Sequence, residues 1–209
     1  MRKWLGVICV FLGIVCLLSA VGMAVYNRRE DESAEEIAQE ILEDVKTIIE
    51  EPQVTAPLPE ATESPETTEK LPAEMATVKV EGYDCIGVIS VPVLELELPV
   101  LTEWSYAKLK KAPCHYYGTY YDKNFVIAAH NYTSHFGRLS KLRAGDLVIF
   151  TDVNGKDYCY EVVLLETLPE EATREMITSG FDLSLYTCTL GGESRVTVRC
   201  NRLSGVAAS

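Results

Sequence analysis

Hydrophobic positions fall into three regimes along the chain. Residues 4–26 (WLGVICVFLGIVCLLSAVGMAVY) form a run of 23 without a charge, long enough at 1.5 Å rise per residue to cross a ~30 Å hydrocarbon layer. The run predicts a transmembrane helix, favoured over a cleaved signal peptide because signal h-regions extend only about 7–15 residues. After it, Ala34, Ile37, Ile41, Val45 and Ile48 recur at three- and four-residue spacing. That period predicts a second helix with an apolar stripe, Ser33 as its N-cap and Glu35 and Glu36 in its first turn. The stripe is open to three uses: pairing with another copy, lying back on the rest of the chain, or remaining a solvated stalk. Residues 52–76 carry five prolines among Thr, Glu and Ala, the composition of an extended, disordered spacer.

From about Val78 the texture changes to short β-rich runs separated by turns. Strands are predicted at residues 85–91, 94–101, 124–129, 146–153, 158–168, 183–190 and 195–203. Seven strands in so short a stretch indicate an all-β domain, a closed barrel or a sandwich. Asn154-Gly155 between two runs is a two-residue hairpin signal. Short helices are expected at 105–111, 136–142 and 169–178. The predicted organisation is therefore a tip and anchor (1–29), an acidic helical stalk with a Pro-rich linker (30–77), and a folded domain (78–209).

Charge sharpens this partition. The 209 residues carry a net charge of −12, but residues 30–81 hold 16 acidic and 3 basic side chains against 15 and 12 in residues 82–209. The acidity belongs to the linker, and the folded domain offers no basic patch to a nucleic acid. Arg2 and Lys3 flank one end of the apolar run and Arg28 and Arg29 the other. A short inner tip with everything else exported is the simplest single-pass topology.

Two of the seven cysteines, Cys9 and Cys16, fall in the apolar run; Cys85, Cys114, Cys159, Cys188 and Cys200 lie outside it. Their spacing contains no CxxC or zinc pattern, and the odd number leaves at least one thiol unpaired. Cys188 ends the run SLYTC, and Arg195 begins RVTVRCNRL after the turn-prone TLGGES. An antiparallel hairpin closed at Gly191-Gly192 sets positions 188 and 195 opposite each other on one face. A thiol beside a guanidinium is reactive, because the cation favours the thiolate and then holds a developing oxyanion. Arg199 shares that face but lies about 13 Å farther along. Of three histidines, His130 directly follows the apolar run FVIAA, where a buried strand gives way to a loop. His115 stands beside a tyrosine pair and His135 falls five residues farther into the polar loop.

These pieces together resemble the sortases, membrane-anchored cysteine transpeptidases of Gram-positive bacteria. The family carries a Leu-x-Thr-Cys strand end followed within about a dozen residues by arginine, matched here by Leu185-Tyr186-Thr187-Cys188 and Arg195. Its histidine ends a buried strand some fifty to sixty residues earlier, as His130 does, and FGRLSKLRAGDLVIF is similar to the family stretch that follows. The resemblance implies a closed eight-stranded β-barrel, with Cys188 as nucleophile, His130 as acid/base and Arg195 as the oxyanion or positioning group; Thr187, adjacent to the nucleophile, is open to substrate or oxyanion contact or to core packing. It also implies the reaction: cleavage of a C-terminal sorting signal after threonine, a thioacyl-enzyme, and transfer to a cell-wall amine. The implied partners are secreted proteins bearing sorting signals, a peptidoglycan precursor or other amine acceptor, and the membrane, with the catalytic domain extracellular. No cofactor or metal is implied; the scattered acids do not decide calcium activation, which part of the family shows. The chain shows neither a second, C-terminal span nor an Asp-Pro-aromatic lid motif, which favours an anchoring enzyme over a pilus-assembling one. Ala129 stands where the family usually has glycine, and the sortase class stays open.

Two other wall-directed enzymes fit less well. An L,D-transpeptidase places glycine before its cysteine and arginine two residues after it, unlike Tyr186-Thr187-Cys188-Thr189-Leu190. A papain-like peptidase has cysteine ahead of histidine. From another class, an anchored, non-catalytic surface-binding module would leave all three residues structural.

Overall fold

The computed structural model describes residues 2–50, 74–189 and 191–203; the spacer predicted at 52–76 lies almost wholly outside the described residues. The two predicted helices are one. Helix α1 runs from Arg2 to Glu50 without interruption, because NRREDES between the two apolar segments contains no proline or glycine to stop it. Ser33 is therefore an exposed interior residue and not an N-cap. From residue 10 to residue 26 every side chain is exposed, and this apolar, unpartnered stretch is consistent with a single-pass membrane anchor. Farther on, Ala34, Ala38, Ile41, Leu42 and Val45 are buried against the folded domain. Of the three uses open to the stripe, the structure shows it lying back on the rest of the chain.

Eight strands close into a mixed barrel: β2 (Tyr83–Val91), β3 (Leu96–Leu101), β4 (Cys114–Tyr117), β5 (Phe125–Ala128), β6 (Leu147–Asp152), β7 (Asp157–Pro169), β8 (Leu183–Cys188) and β9 (Ser194–Arg202). Their order around the wall is β2-β3-β4-β5-β8-β9-β7-β6, and β6 pairs back with β2. The β3–β4 and β5–β8 contacts are parallel and the others antiparallel. A short strand β1 (Val78–Val80) extends the start of β2. Closure depends on Gly87, which has φ +152° and sits at a bulge facing Asp152; a Cβ there would approach the Thr151 carbonyl oxygen to 2.1 Å.

The seven predicted strands are all present, and the eighth is β4, whose sequence CHYY has no alternation to announce it. The second strand begins at Leu96 instead of 94, since Pro92–Leu94 forms a 3-10 turn and Glu95 turns left-handed at φ 49°. Asn154-Gly155 joins β6 to β7, but the connection has four residues instead of two, because the Asn154 and Lys156 amides donate to the Asp152 carboxylate and widen the turn. Ser105 caps the short helix α2 (Tyr106–Leu109) by accepting from the Lys108 amide. Residues 136–141 form a 3-10 helix. The third predicted helix shrinks to α3 (Thr173–Ile177), because β7 continues through Pro169.

Strands β2, β3, β5 and β8 bury both faces, which is why FVIAA reads as a continuous apolar run. Phe125, Ile127, Ala129, Phe150, Leu185 and Val198 fill the barrel interior. Val88, Leu101, Cys114, Val126, Ala128 and Tyr186 face outward under α1, Leu109 of α2 and Met176 of α3. The six described cysteines are unpaired, and burial pushes the thiols of Cys85 and Cys114 up to about 12, leaving them protonated and inert.

Candidate active site

Cys188 is the last residue of β8 and Arg195 the second of β9, and the ladder pairs them directly. The connection is tightened by the Thr189 amide donating to the Ser194 carbonyl at 2.8 Å and by the Ser194 amide donating to the Thr189 hydroxyl. Within this frame Arg195 Nη1 donates to Cys188 Sγ at 3.2 Å. The guanidinium lies over the Tyr186 ring, 5.5 Å from its centroid, and its other edge is 3.9 Å from the Glu170 carboxylate. Cys188 is half-buried while the other described cysteines of the barrel are buried, so it alone among them combines access with a cation. Arg199 has a different fate: it is buried, donating to Glu166, Ser184 Oγ and the carbonyls of Glu175 and Met176. It ties β9 to β7, β8 and α3.

β5 and β8 run in parallel, with Ala128 opposite Tyr186 as their last pair and the Ala129 amide donating to the Tyr186 carbonyl. Two residues beyond that pair, His130 and Cys188 leave the ends of neighbouring strands, whose spacing is about 4.8 Å. By alternation both belong to the outer face with Ala128, Tyr186 and Arg195. His130 is half-buried and its Nδ1 has no protein partner. Burial lowers its pKa below the ordinary histidine value, against a smaller opposing effect of Asn131. Its ring stacks on that of Tyr132, with centroids 4.0 Å apart and planes at 17°.

The loop after His130 is compact. The amides of His135 and Gly137 donate to the Tyr132 carbonyl and the amide of Phe136 to the His130 carbonyl. Gly137 is required by space: a Cβ would meet the carbonyl oxygens of Asn131 and Tyr132 at 2.5 and 2.6 Å. His135, expected out in a polar loop, is fully buried, with neither ring nitrogen hydrogen-bonded. Burial, aided by the neighbouring His130, lowers its pKa to about 4. His115 is tied to the carbonyls of Thr102 and Gly118. Thr187 points inward, is buried, and has an unpartnered hydroxyl; with Cys188, Asn131 and Gly137 it lines a cleft of about 480 Å³ at the barrel mouth. Among the described residues, no three His, Cys, Asp or Glu side chains gather closely enough to hold a metal ion.

Sequence reasoning missed the surroundings of His130. Tyr132 hydroxyl donates to Glu30 at 3.1 Å, and the amides of Thr133 and Ser134 donate to Asp31 at 3.1 Å each. No local signal links these groups, which are about a hundred residues apart in the chain.

Comparison with known proteins gives one family. The family model for the Sortase domain matches residues 89–203. Sortase C1 from Streptococcus agalactiae aligns with a TM-score of 0.54 and 25% identity, covering 61% of this chain and 72% of that one. Sortase A from Corynebacterium diphtheriae aligns at 0.53 and 24%, covering 61% of this chain, which spans only 64% of that protein. A sortase D5 transpeptidase of Clostridium perfringens shares the fold at TM-score 0.58 and 18% identity, with 81% and 99% covered. A comparison with curated protein sequences returns no match.

Proposed function

The chain belongs to the sortase family, and on that premise we propose that it is a cysteine transpeptidase acting on the sorting signals of secreted proteins at the outer face of the cell membrane. The observation that carries this reading is the 3.2 Å contact between Arg195 Nη1 and Cys188 Sγ, with His130 at the adjacent strand end. The guanidinium stabilises the thiolate that attacks the carbonyl carbon on the threonine side of the scissile bond. As the C=O π bond opens, the oxygen takes up the electron pair, and Arg195 offers it the positive charge it needs.

His130 in its imidazolium form gives a proton to the leaving amine as the C–N bond breaks and the thioester forms. It then takes a proton from the incoming wall amine, whose nitrogen displaces the thiolate and restores the starting state. Burial holds the imidazole pKa of His130 below its ordinary value, which disfavours its imidazolium form in the free protein. Thr187 lines the cleft beside the nucleophile with its hydroxyl buried and unpartnered, and is assigned to the cleft wall that the substrate meets. These steps use side chains of this chain alone. The apolar part of α1 supplies the single-pass anchor.

The test is a panel of fluorogenic sorting-signal pentapeptides incubated with the full chain in nanodiscs, followed by mass spectrometry. Cleavage after threonine and an acyl adduct on Cys188 are expected. Cleavage that persists in Cys188→Ala would overturn the assignment.

A further inference from the structure

We propose that Glu30 and Asp31, two consecutive residues of the anchor helix, are positioning residues for His130. This rests on the reading of His130 as the acid/base. His130 stands beyond the last ladder pair of β5, so no strand pairing fixes its backbone, and no hydrogen bond holds its Nδ1. Its ring is held by the face of Tyr132, and the Tyr132 hydroxyl is pinned by Glu30. Glu30 is itself fixed, accepting from Tyr26 hydroxyl at 2.8 Å and from Lys110 at 3.2 Å. Asp31 grips the same loop from its backbone side through the amides of Thr133 and Ser134 and the Ser134 hydroxyl. Neighbouring residues on a helix point about 100° apart, so the pair holds the loop at two separate points.

Docking of α1 has a second, apolar source. That source is the buried stripe beginning at Ala34, whereas Glu30 and Asp31 precede it and face the loop. Of the nine acidic residues on α1 only these two are partly shielded from solvent; the other seven are exposed. The Asp31 carboxyl is held below its ordinary pKa: burial would raise it, but the hydrogen bonds from Ser134 and Thr133 outweigh that effect. A carboxylate with three donors from one loop is an organising centre for that loop. The anchor helix is thus part of the catalytic apparatus, acting through Tyr132 and the loop amides on the orientation of one imidazole.

The test uses the full chain in nanodiscs, a fluorogenic threonine-containing sorting-signal pentapeptide, and four variants: Asp31→Ala, Asp31→Asn, Tyr132→Phe and His130→Ala. Misplacing a catalytic group by about an ångström costs up to ~10²-fold, so Asp31→Ala should lower kcat about tenfold with KM within about twofold of the parent. Asp31→Asn, which keeps one acceptor for the loop amides, should recover part of that loss. Tyr132→Phe, which deletes a single hydroxyl and leaves the fold intact, should lower kcat about threefold. A kcat within about twofold of the parent in both Asp31→Ala and Tyr132→Phe, while His130→Ala is inactive, overturns the proposal, as does an effect confined to KM or to melting temperature. Retained activity in His130→Ala overturns instead the catalytic reading on which it rests.

Discussion

The two halves of the site are built by opposite means. Cys188 and Arg195 are a ladder pair in a hairpin, seven residues apart, and their 3.2 Å contact follows from strand register. His130 has left its strand and is held by a stacked tyrosine and by carboxylates from the far end of the chain. One half is set by local geometry and the other by tertiary packing. The nucleophile side should therefore tolerate distant changes that disable the imidazole side.

The largest effects are expected on the hairpin. Cys188→Ala should abolish pentapeptide cleavage, and Arg195→Ala should lower kcat by ~10²–10³-fold, the range for removing an oxyanion donor. Both should melt within a few degrees of the parent, since the ladder around them survives. Turnover near the parent rate in either variant would mean that this hairpin is not the reacting centre.

On the other half, His130→Ala should lose at least ~10²-fold, the low end for general acid/base catalysis. In the parent the rate should be bell-shaped in pH, with the acid limb below the ordinary histidine range because burial lowers the His130 pKa. A single sigmoidal limb would show that only one group titrates in the cleavage step.

A smaller effect should separate the halves directly. Val45 is fully buried under the barrel, and Val45→Asp places a charge there, loosening α1 at a cost of at least ~3 kcal/mol. Peptide cleavage should fall about tenfold, the cost of a misplaced catalytic group, while the rate of Cys188 alkylation by iodoacetamide stays near that of the parent. Equal losses in both readouts would show that the two halves are not independent.

The last effect concerns stability alone and leaves the site untouched. His135 has a folded pKa of about 4 against the ordinary 6.5, so the unfolded chain binds the proton more readily. Its contribution is fully present above about pH 6.5 and is lost as the pH falls toward 4, by about 3 kcal/mol. His135→Phe should flatten the pH dependence of the melting temperature in that window. An unchanged slope would place the titrating group elsewhere.

The same division decides what could be read from the sequence. The Cys188–Arg195 pairing follows from a short turn and strand alternation, and the FVIAA run located the strand that delivers His130. The eighth strand, CHYY, was invisible because four residues with a tyrosine pair carry no period, and it becomes a strand only between β3 and β5. His135 reads as a loop polar residue, yet the 3-10 turn from Phe136 folds its ring beneath α1. Glu30 and Asp31 look like two more charges in an acidic segment. Only the docking of α1 selects them, and its stripe did not say what it would cover.

The unbroken passage of α1 from Tyr26 to Glu30 fixes a height. Four residues of helix are about 6 Å, comparable to the headgroup layer outside a ~30 Å hydrocarbon core. With the stripe from Ala34 onward buried and the His130 loop held at Glu30 and Asp31, the barrel is fixed to the helix itself. On a helix embedded in a bilayer, a barrel held this way would have almost no radius of search and would meet only what is carried to it along the membrane plane. Lengthening the helix between Tyr26 and Asn27 by two turns would raise the mouth by about 11 Å and shift its preference toward cleavage sites held farther from the bilayer.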